Sequence, residues 1–401
     1  MWNFEVQLKI VAQYVIIILK EFQLCRRKVM QGLNQGLVNS SYNSSFIYSE
    51  NTPSCKQDSA EAYNDQGINL AKNGDYDLAI AYFNKAIELN PNYTEAYANR
   101  GAAFGDIEEF DNAIEDCSKA ITLNHNFSVA YYNRGTVHYD TGAVDLAISD
   151  YIKAKNLNPY FVEVYYNLGY VYCKIDRCDL AIENYNKAIE LSPDDSRSYN
   201  NRGVIYYNSG EVNRAIKDYT KTIELNPDDV IAYCNRGEAY CDKGELENAI
   251  ADYTQMIILK PKIPESYYIR GEVYLRAKQW EEAKRDLTAA ILQKVDISEK
   301  FHSNHENIAA FEEKVGVQLP EDIVHLLTSS PETFKIDEDA RIALAMKYYE
   351  NEELSSGLAS RLAGIPRGVF IMIMGDYGLS PFGTVEDLKA ELGNVYKADH
   401  L

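Results

Sequence analysis

The stretch Tyr165-Tyr166-Asn167-Leu168-Gly169-Tyr170-Val171-Tyr172, followed by Ala181-Ile182-Glu183-Asn184-Tyr185 and then Pro193, is one copy of a pattern that returns every 34 residues. The glycine recurs at Gly67, Gly101, Gly135, Gly203, Gly237 and Gly271, and the alanine at Ala79, Ala113, Ala147, Ala215, Ala249 and Ala283. An aromatic precedes each glycine by four, at Tyr63, Tyr97, Tyr131, Tyr165, Tyr199, Tyr233 and Tyr267. A second ring usually follows the alanine by four, at Phe83, Tyr151, Tyr185, Tyr219 and Tyr253. Spacings of four put ring and small residue on one helical face. Gly and Ala carry almost no side chain, so two helices can cross closely where they meet. Gly74-Asp75, Gly210-Glu211 and Gly244-Glu245 mark a turn between the helices, and Pro91, Pro159, Pro193, Pro227 and Pro261 stop the second one. A period of this size signals a solenoid.

The pattern resembles the tetratricopeptide repeat, whose consensus is matched by Tyr165-x2-Leu168-Gly169-x2-Tyr172, Ala181-x3-Tyr185 and Pro193. Seven repeats follow: 60–93, 94–127, 128–161, 162–195, 196–229, 230–263 and 264–297. The expected fold is all-α, a right-handed superhelix of seven helical hairpins followed by a small, mainly helical C-terminal domain. Residues 1–59 read as an N-terminal helix and linker, 298–316 as a capping helix, and 317–401 as a separate module. The seventh repeat is degenerate, with Val295 in place of proline. Ser303-x-x-Glu306 reads as a capping box opening a helix through about Val315. Ile308, Phe311 and Val315 on that helix are expected to cover the end of the array.

Comparing the repeats reveals a linked pair. Arg100, Arg134, Arg202, Arg236 and Arg270 precede their glycines, and sixteen residues on stand Asp116, Asp150, Asp218, Asp252 and Asp286. Where Gln66 or Leu168 replaces Arg, the partner becomes Tyr82 or Asn184. A salt bridge joining the two helices of each hairpin is expected, worth ~0–1 kcal/mol if it lies on the surface.

The resemblance implies that the first helix of each hairpin lines a concave groove, through the residues two before and one after the glycine. The first of these positions is Asn99, Asn133, Asn167, Asn201 and Asn235 in five successive repeats. Amides offer both donor and acceptor, so the row suits the main chain of an extended peptide, or else bonds a neighbouring helix. Tyr132, Tyr166, Tyr139, Tyr170 and Tyr207 lie beside it and supply the contact area favoured at recognition surfaces. The position three before the glycine reads Asn64, Ala98, Tyr132, Tyr166, Asn200, Cys234 and Tyr268, with no Lys. That disfavours the terminal-carboxylate ligand of chaperone-binding repeat domains.

The chain carries a formal net charge of −20 and a sequence pI near 4.8, which disfavours broad binding of nucleic acid and favours neutral or basic partners. No CxxC, phosphate loop or metal-spaced His set occurs among the seven Cys and six His, so neither cofactor, metal nor catalysis is expected. Cys117 and Cys173 stand at packing positions of their repeats. The apolar run 10–19 is too short to span a bilayer, and only Lys9 precedes it, unlike a signal peptide. A cytoplasmic protein is expected, although an interfacial helix or a start at Met30 would also fit this segment.

After about residue 316 the composition changes. Leu319-Pro320-Glu321-Asp322, Ala343-Leu344-Ala345-x-Lys347-Tyr348-Tyr349, Leu354-Ser355-Ser356-Gly357-x-Ala359, Leu362-Ala363-Gly364, Phe370 and Tyr377-Gly378 resemble the bacterial UPF0175 family, proposed antitoxins beside PIN-domain nucleases. Helices are expected at 321–328 and 337–349, then a helix-turn-helix-like pair. Its would-be recognition helix, 366–374, offers only Arg367 to a base or phosphate, and 298–401 carries 18 acidic and 9 basic residues, a net of −9. DNA readers are usually basic, so contact with protein, a PIN-domain toxin or a second copy, fits better. The leading expectation is a non-enzymatic scaffold holding a polypeptide in its groove. The alternative is an antitoxin-like or transcriptional regulator acting through the C-terminal module.

Overall fold

A computed structural model describes residues 58–328, 338–351, 354, 356–364, 367 and 370. The expectations for the N-terminal segment, and for all of the 366–374 helix except Arg367 and Phe370, lie outside these residues. Every regular element among the described residues is an α-helix. They fall into two compact units, one ending at Pro227 and the other beginning at Asp228.

The first unit holds five hairpins: α1 (Ala60–Lys72) with α2 (Tyr76–Leu89), α3 (Thr94–Asp106) with α4 (Phe110–Leu123), α5 (Ser128–Asp140) with α6 (Val144–Leu157), α7 (Val162–Lys174) with α8 (Cys178–Leu191), and α9 (Ser196–Asn208) with α10 (Val212–Leu225). The repeat glycines sit at the crossings. A Cβ built on Gly169 would lie 2.8 Å from the Tyr185 ring, one on Gly203 2.7 Å from Tyr219, and one on Gly67 2.6 Å from Phe83. In five hairpins the ring after the alanine thus packs against the glycine of its own hairpin, and Leu287 does so on Gly271. Cys117 takes that place on Gly101, and burial pushes its thiol well above the ordinary range, as a packing residue requires.

The turn between paired helices places one residue in the left-handed region at the same 34-residue step. Gly74, Gly142, Gly210 and Gly244 fill it at φ of 76–87°, but Glu108, Asp176 and Lys278 do so at 58–62°. Three turns therefore carry a side chain in a conformation that glycine adopts without penalty.

The second unit begins with two more hairpins, α11 (Val230–Lys243) with α12 (Leu246–Leu259) and α13 (Pro264–Arg276) with α14 (Trp280–Leu292). Five shorter elements follow: α15 (Ile297–Asn304), α16 (Ile308–Val315), α17 (Glu321–Thr328), α18 (Glu338–Glu350) and α19 (Ser356–Ala363). Asp229 caps α11 by accepting from the amides of Ile231 and Ala232, and Pro264 opens α13 where no amide is needed. Lys294, at φ 68°, closes α14 in the absence of the usual proline, and Val295 is buried.

The capping box expected at Ser303 is not formed. Asp296 starts the helix earlier by accepting from Glu299 N, Ser303 lies inside α15 with its hydroxyl on the Lys300 carbonyl, and the helix breaks at His305. Asn307 caps α16 instead, accepting from Ala310 N at 2.8 Å. The 34-residue step explains the earlier start. Phe301 lies 34 after Tyr267, so α15 is the opening of an eighth first helix, and His305 falls where its glycine would be.

Phe311 is fully buried, with Ile308 and Val315 packed beside it. The change in composition near residue 316 does not interrupt the core. Buried residues from Ile257 through Phe301, Phe311, Ile323, Tyr348 and Phe370 form one hydrophobic cluster. Tyr348 on α18 lies edge-on to Tyr267 at 5.3 Å, beneath the Arg285 guanidinium, and donates its hydroxyl to Asp286 Oδ1 at 2.5 Å.

Candidate functional site

The frame of each first helix is set by its arginine. Arg202 donates to both Asp218 oxygens at 2.7 Å, and Arg100, Arg134, Arg236 and Arg270 meet Asp116, Asp150, Asp252 and Asp286 in the same two-pronged way. Leu168 and Asn184 are buried together in the place of the missing pair, and Asn184 turns its amide onto the Leu180 carbonyl. The pairs are not surface features. The aspartates are buried, and the arginines of the first unit keep only 16–23% side-chain exposure. Burial pushes the Asp116 carboxyl up against the pull of Arg100.

A second arm of the same guanidinium reaches the preceding hairpin. Arg100 donates to Asn84, Arg134 to Ser118, Arg202 to Asn186 and Arg270 to Thr254, each sixteen residues back. This staple between repeats was not anticipated, yet its signal is in the sequence: where Leu168 replaces Arg, the residue sixteen back is Ile152.

Four of the five asparagines bond neighbouring helices. Asn99 Nδ2 donates to Asn64 Oδ1 at 2.9 Å, Asn133 to the Ala98 carbonyl at 3.2 Å, Asn167 to the Tyr132 hydroxyl at 3.2 Å and Asn201 to the Tyr166 hydroxyl at 3.1 Å. Each partner is 35 residues back. Asn99, Asn133, Asn235 and Tyr132 are buried, which corrects the expectation of an open amide stripe over those positions. A buried amide must satisfy its donors locally, and the three-before-glycine residue of the previous hairpin is within reach.

Of the ten site residues expected, Asn167, Asn201, Tyr139, Tyr166 and Tyr207 are half-buried and Tyr170 is exposed. They lie on α5, α7 and α9 of the first unit. The Tyr139 and Tyr170 rings meet edge to face at 5.7 Å, and Lys174 Nζ lies 5.1 Å from the Tyr170 centroid. Arg197 lies 4.6 Å over the Tyr166 ring while its Nε donates to Asp195 at 2.8 Å. Arg197 was missed by sequence reasoning, although Glu61, Glu95 and Glu163 hold the same repeat position and the change of sign marks it. Burial pushes the Tyr139 and Tyr166 hydroxyls above their ordinary range, so both stay neutral donors and acceptors. The cluster thus joins flat aromatic area, hydroxyls and two cations on adjacent first helices. That suits main-chain and side-chain contacts with a polypeptide. Among the described residues no group of His, Cys, Asp and Glu could hold a metal ion.

Paired helices crossing at glycine and stacked at a fixed 34-residue step define a class, the helical-hairpin repeat proteins that present their first helices to a ligand. Tetratricopeptide repeat models match 60–93, 94–127, 128–161, 172–210, 196–229, 218–251 and 237–277, and the chain belongs to that family. Residues 312–397 match an uncharacterised protein family, UPF0175. None of the curated proteins matches the chain. Similar solved structures include MamA, at 31% identity over 40% of this chain and 94% of that one with a TM-score of 0.36. They also include YrrB, described as a TPR protein with an unusual peptide-binding site, at 26% identity over 45% and 92% with a TM-score of 0.39. A third is pilF of Pseudomonas aeruginosa, at 20% identity over 50% and 92% with a TM-score of 0.47. No helix among the described residues is long and apolar enough to cross a membrane. The repeats make the protein an interaction scaffold.

Proposed function

We propose that the chain is a non-catalytic, cytoplasmic scaffold that holds an extended segment of another protein against α5, α7 and α9, with Tyr139, Tyr166, Tyr170 and Tyr207 as its contact surface. The observation that carries this reading is the tyrosine cluster on three successive first helices, where Tyr170 is 36% exposed although its ring packs on Tyr139. Tyr offers large contact area for little lost side-chain freedom. Asn167 and Asn201 hold the cluster in place through their bonds to Tyr132 and Tyr166 rather than reading the partner themselves. The acidic balance of the chain favours a neutral or basic partner.

The comparisons lend no support to a PIN-domain partner, and UPF0175 supplies no activity. The C-terminal helices share the core of the last hairpin, which favours their serving as the end of the array over acting as an independent regulator. The test is a photo-cross-linking residue placed at position 170 and, as a control, at position 160, where Tyr160 is 78% exposed on the turn before α7. A discrete adduct at 170 that is missing at 160 is expected. Equal labelling at both positions, or labelling at 160 alone, would remove the groove from the reading.

A further inference from the structure

The hairpins before the last show how a first helix engages its predecessor: an amide reaches back 35 residues to the position three before the glycine. The broken eighth helix repeats this contact in altered form. Asn304 Nδ2 donates to the hydroxyl of Tyr268, 36 residues back, at 3.3 Å, and to Glu272 Oε2 at 3.1 Å. Glu272 lies one after Gly271, a position that the resemblance turns toward the groove, and Tyr268, three before Gly271, is buried. His305 then folds in where a glycine would continue the helix. Its Nε2 lies 3.2 Å from Glu272 Oε1, and its ring packs beside the Phe301–Phe311 pair, tilted on Phe301 and edge-on to Phe311 with both centroids at 4.8 Å, the two Phe rings themselves meeting at 5.4 Å. Its side chain is only 7% exposed.

We infer that the groove step of the last hairpin is a pocket for a planar N–H donor, floored by Glu272 and bounded on one side by the Phe301–Phe311 pair, and that the chain fills it with its own His305. The carboxylate supplies charge and two acceptor oxygens, and the two rings supply apolar contact along one side of the occupant. The charged surroundings fit this use. Arg276 also acts on Glu272, and Glu272 and Asp242 lie near Cys241. The carboxyl of Glu272 is desolvated, which alone would raise its pKa, yet His305, Asn304 and Arg276 hold it down at about 2. With His305 and Asn304 in place, Glu272 therefore stays ionised at all physiological pH values. An imidazole or guanidinium is the class that fits. A small ammonium would leave the contacts with Phe301 and Phe311 unmade. In this chain the self-contact closes the last groove step, so a partner held in the proposed groove gains no binding from it.

This rests on the groove reading only for what it excludes, and its test uses no partner. The full chain with His305→Gly is heated with and without imidazole, alongside the unaltered chain and the His305→Gly, Glu272→Gln double variant. Imidazole should raise the melting temperature of His305→Gly in a saturable manner, leave the unaltered chain unmoved, and fail on the double variant. Methylguanidinium should act similarly. If His305→Gly does not fold, refolding in imidazole gives the same reading: recovery supports the pocket and no recovery contradicts it. A rise equal in all three proteins, or one that persists without Glu272, overturns the assignment.

Discussion

Arg202–Asp218 and Arg270–Asp286 occupy the same two repeat positions and have nearly the same geometry, but they live in different surroundings. Arg202 retains 16% side-chain exposure at the edge of its hairpin, with Asn186 on its free arm. Arg270 and Asp286 are wholly buried, and Tyr348 of α18 adds a third donor to the carboxylate. Both aspartates are buried, but Arg202 keeps a path by which water can reach the site when the pair is broken, whereas a pair sealed in the core cannot lose one partner without fully stranding the other. One motif thus sets register along the first unit and becomes an anchor for the C-terminal helices in the second.

Breaking the two pairs should show the difference most strongly. Arg270→Ala should destabilise the second unit by roughly 3–5 kcal/mol, and Arg202→Ala the first by about 1–2 kcal/mol, both read from denaturant unfolding. Equal losses would mean that the cover supplied by α18 adds nothing. Next in size, Glu272→Gln should cost on the order of 2–3 kcal/mol at neutral pH. A carboxylate held down at about 2, against an ordinary 4.5, contributes stability that is complete above pH 4.5 and lost as pH falls toward 2. The variant should therefore flatten the acid limb of the stability curve in that window and leave the first unit's transition unmoved.

Tyr348→Phe removes one hydroxyl from Asp286 while keeping the ring against Tyr267, and should cost about 1–2 kcal/mol; a neutral result would reduce α18 to an apolar cover. The smallest effect concerns the turns. Asp176→Gly should stabilise by up to about 1 kcal/mol, since φ of 58° strains a side chain. Gly210→Ala, at φ 79°, should destabilise by a similar amount in thermal melts.

The hairpins, their crossings and the Arg–Asp pairs were legible because a fixed period let each repeat check the others. Leu168 with Asn184 stated the pairing rule as clearly as Arg202 with Asp218 did. The second arm of the arginine was equally encoded in Ile152 against Asn84 and Ser118, but it required comparing adjacent repeats rather than aligned ones. Burial of the asparagines was not legible. A residue's repeat position gives its face, whereas Asn99, with Asn64 behind it, and Asn201, with Tyr166 behind it, differ in how deeply a neighbour's size lets them sink. The end of the array failed for a related reason. Asn304 is one residue out of the ladder register, and Ser303-x-x-Glu306 mimics a helix start inside a helix already begun at Ile297.

The most direct test of the groove uses the polypeptide cross-linked at position 170. Its affinity for the full chain is measured before and after Tyr139→Ala with Tyr170→Ala, alongside the melting temperature. Two truncated anchors at about 1–2 kcal/mol each predict a loss of roughly thirty- to a thousandfold with the melting temperature shifted by only a few degrees. Unchanged affinity in a variant that remains folded would contradict the account.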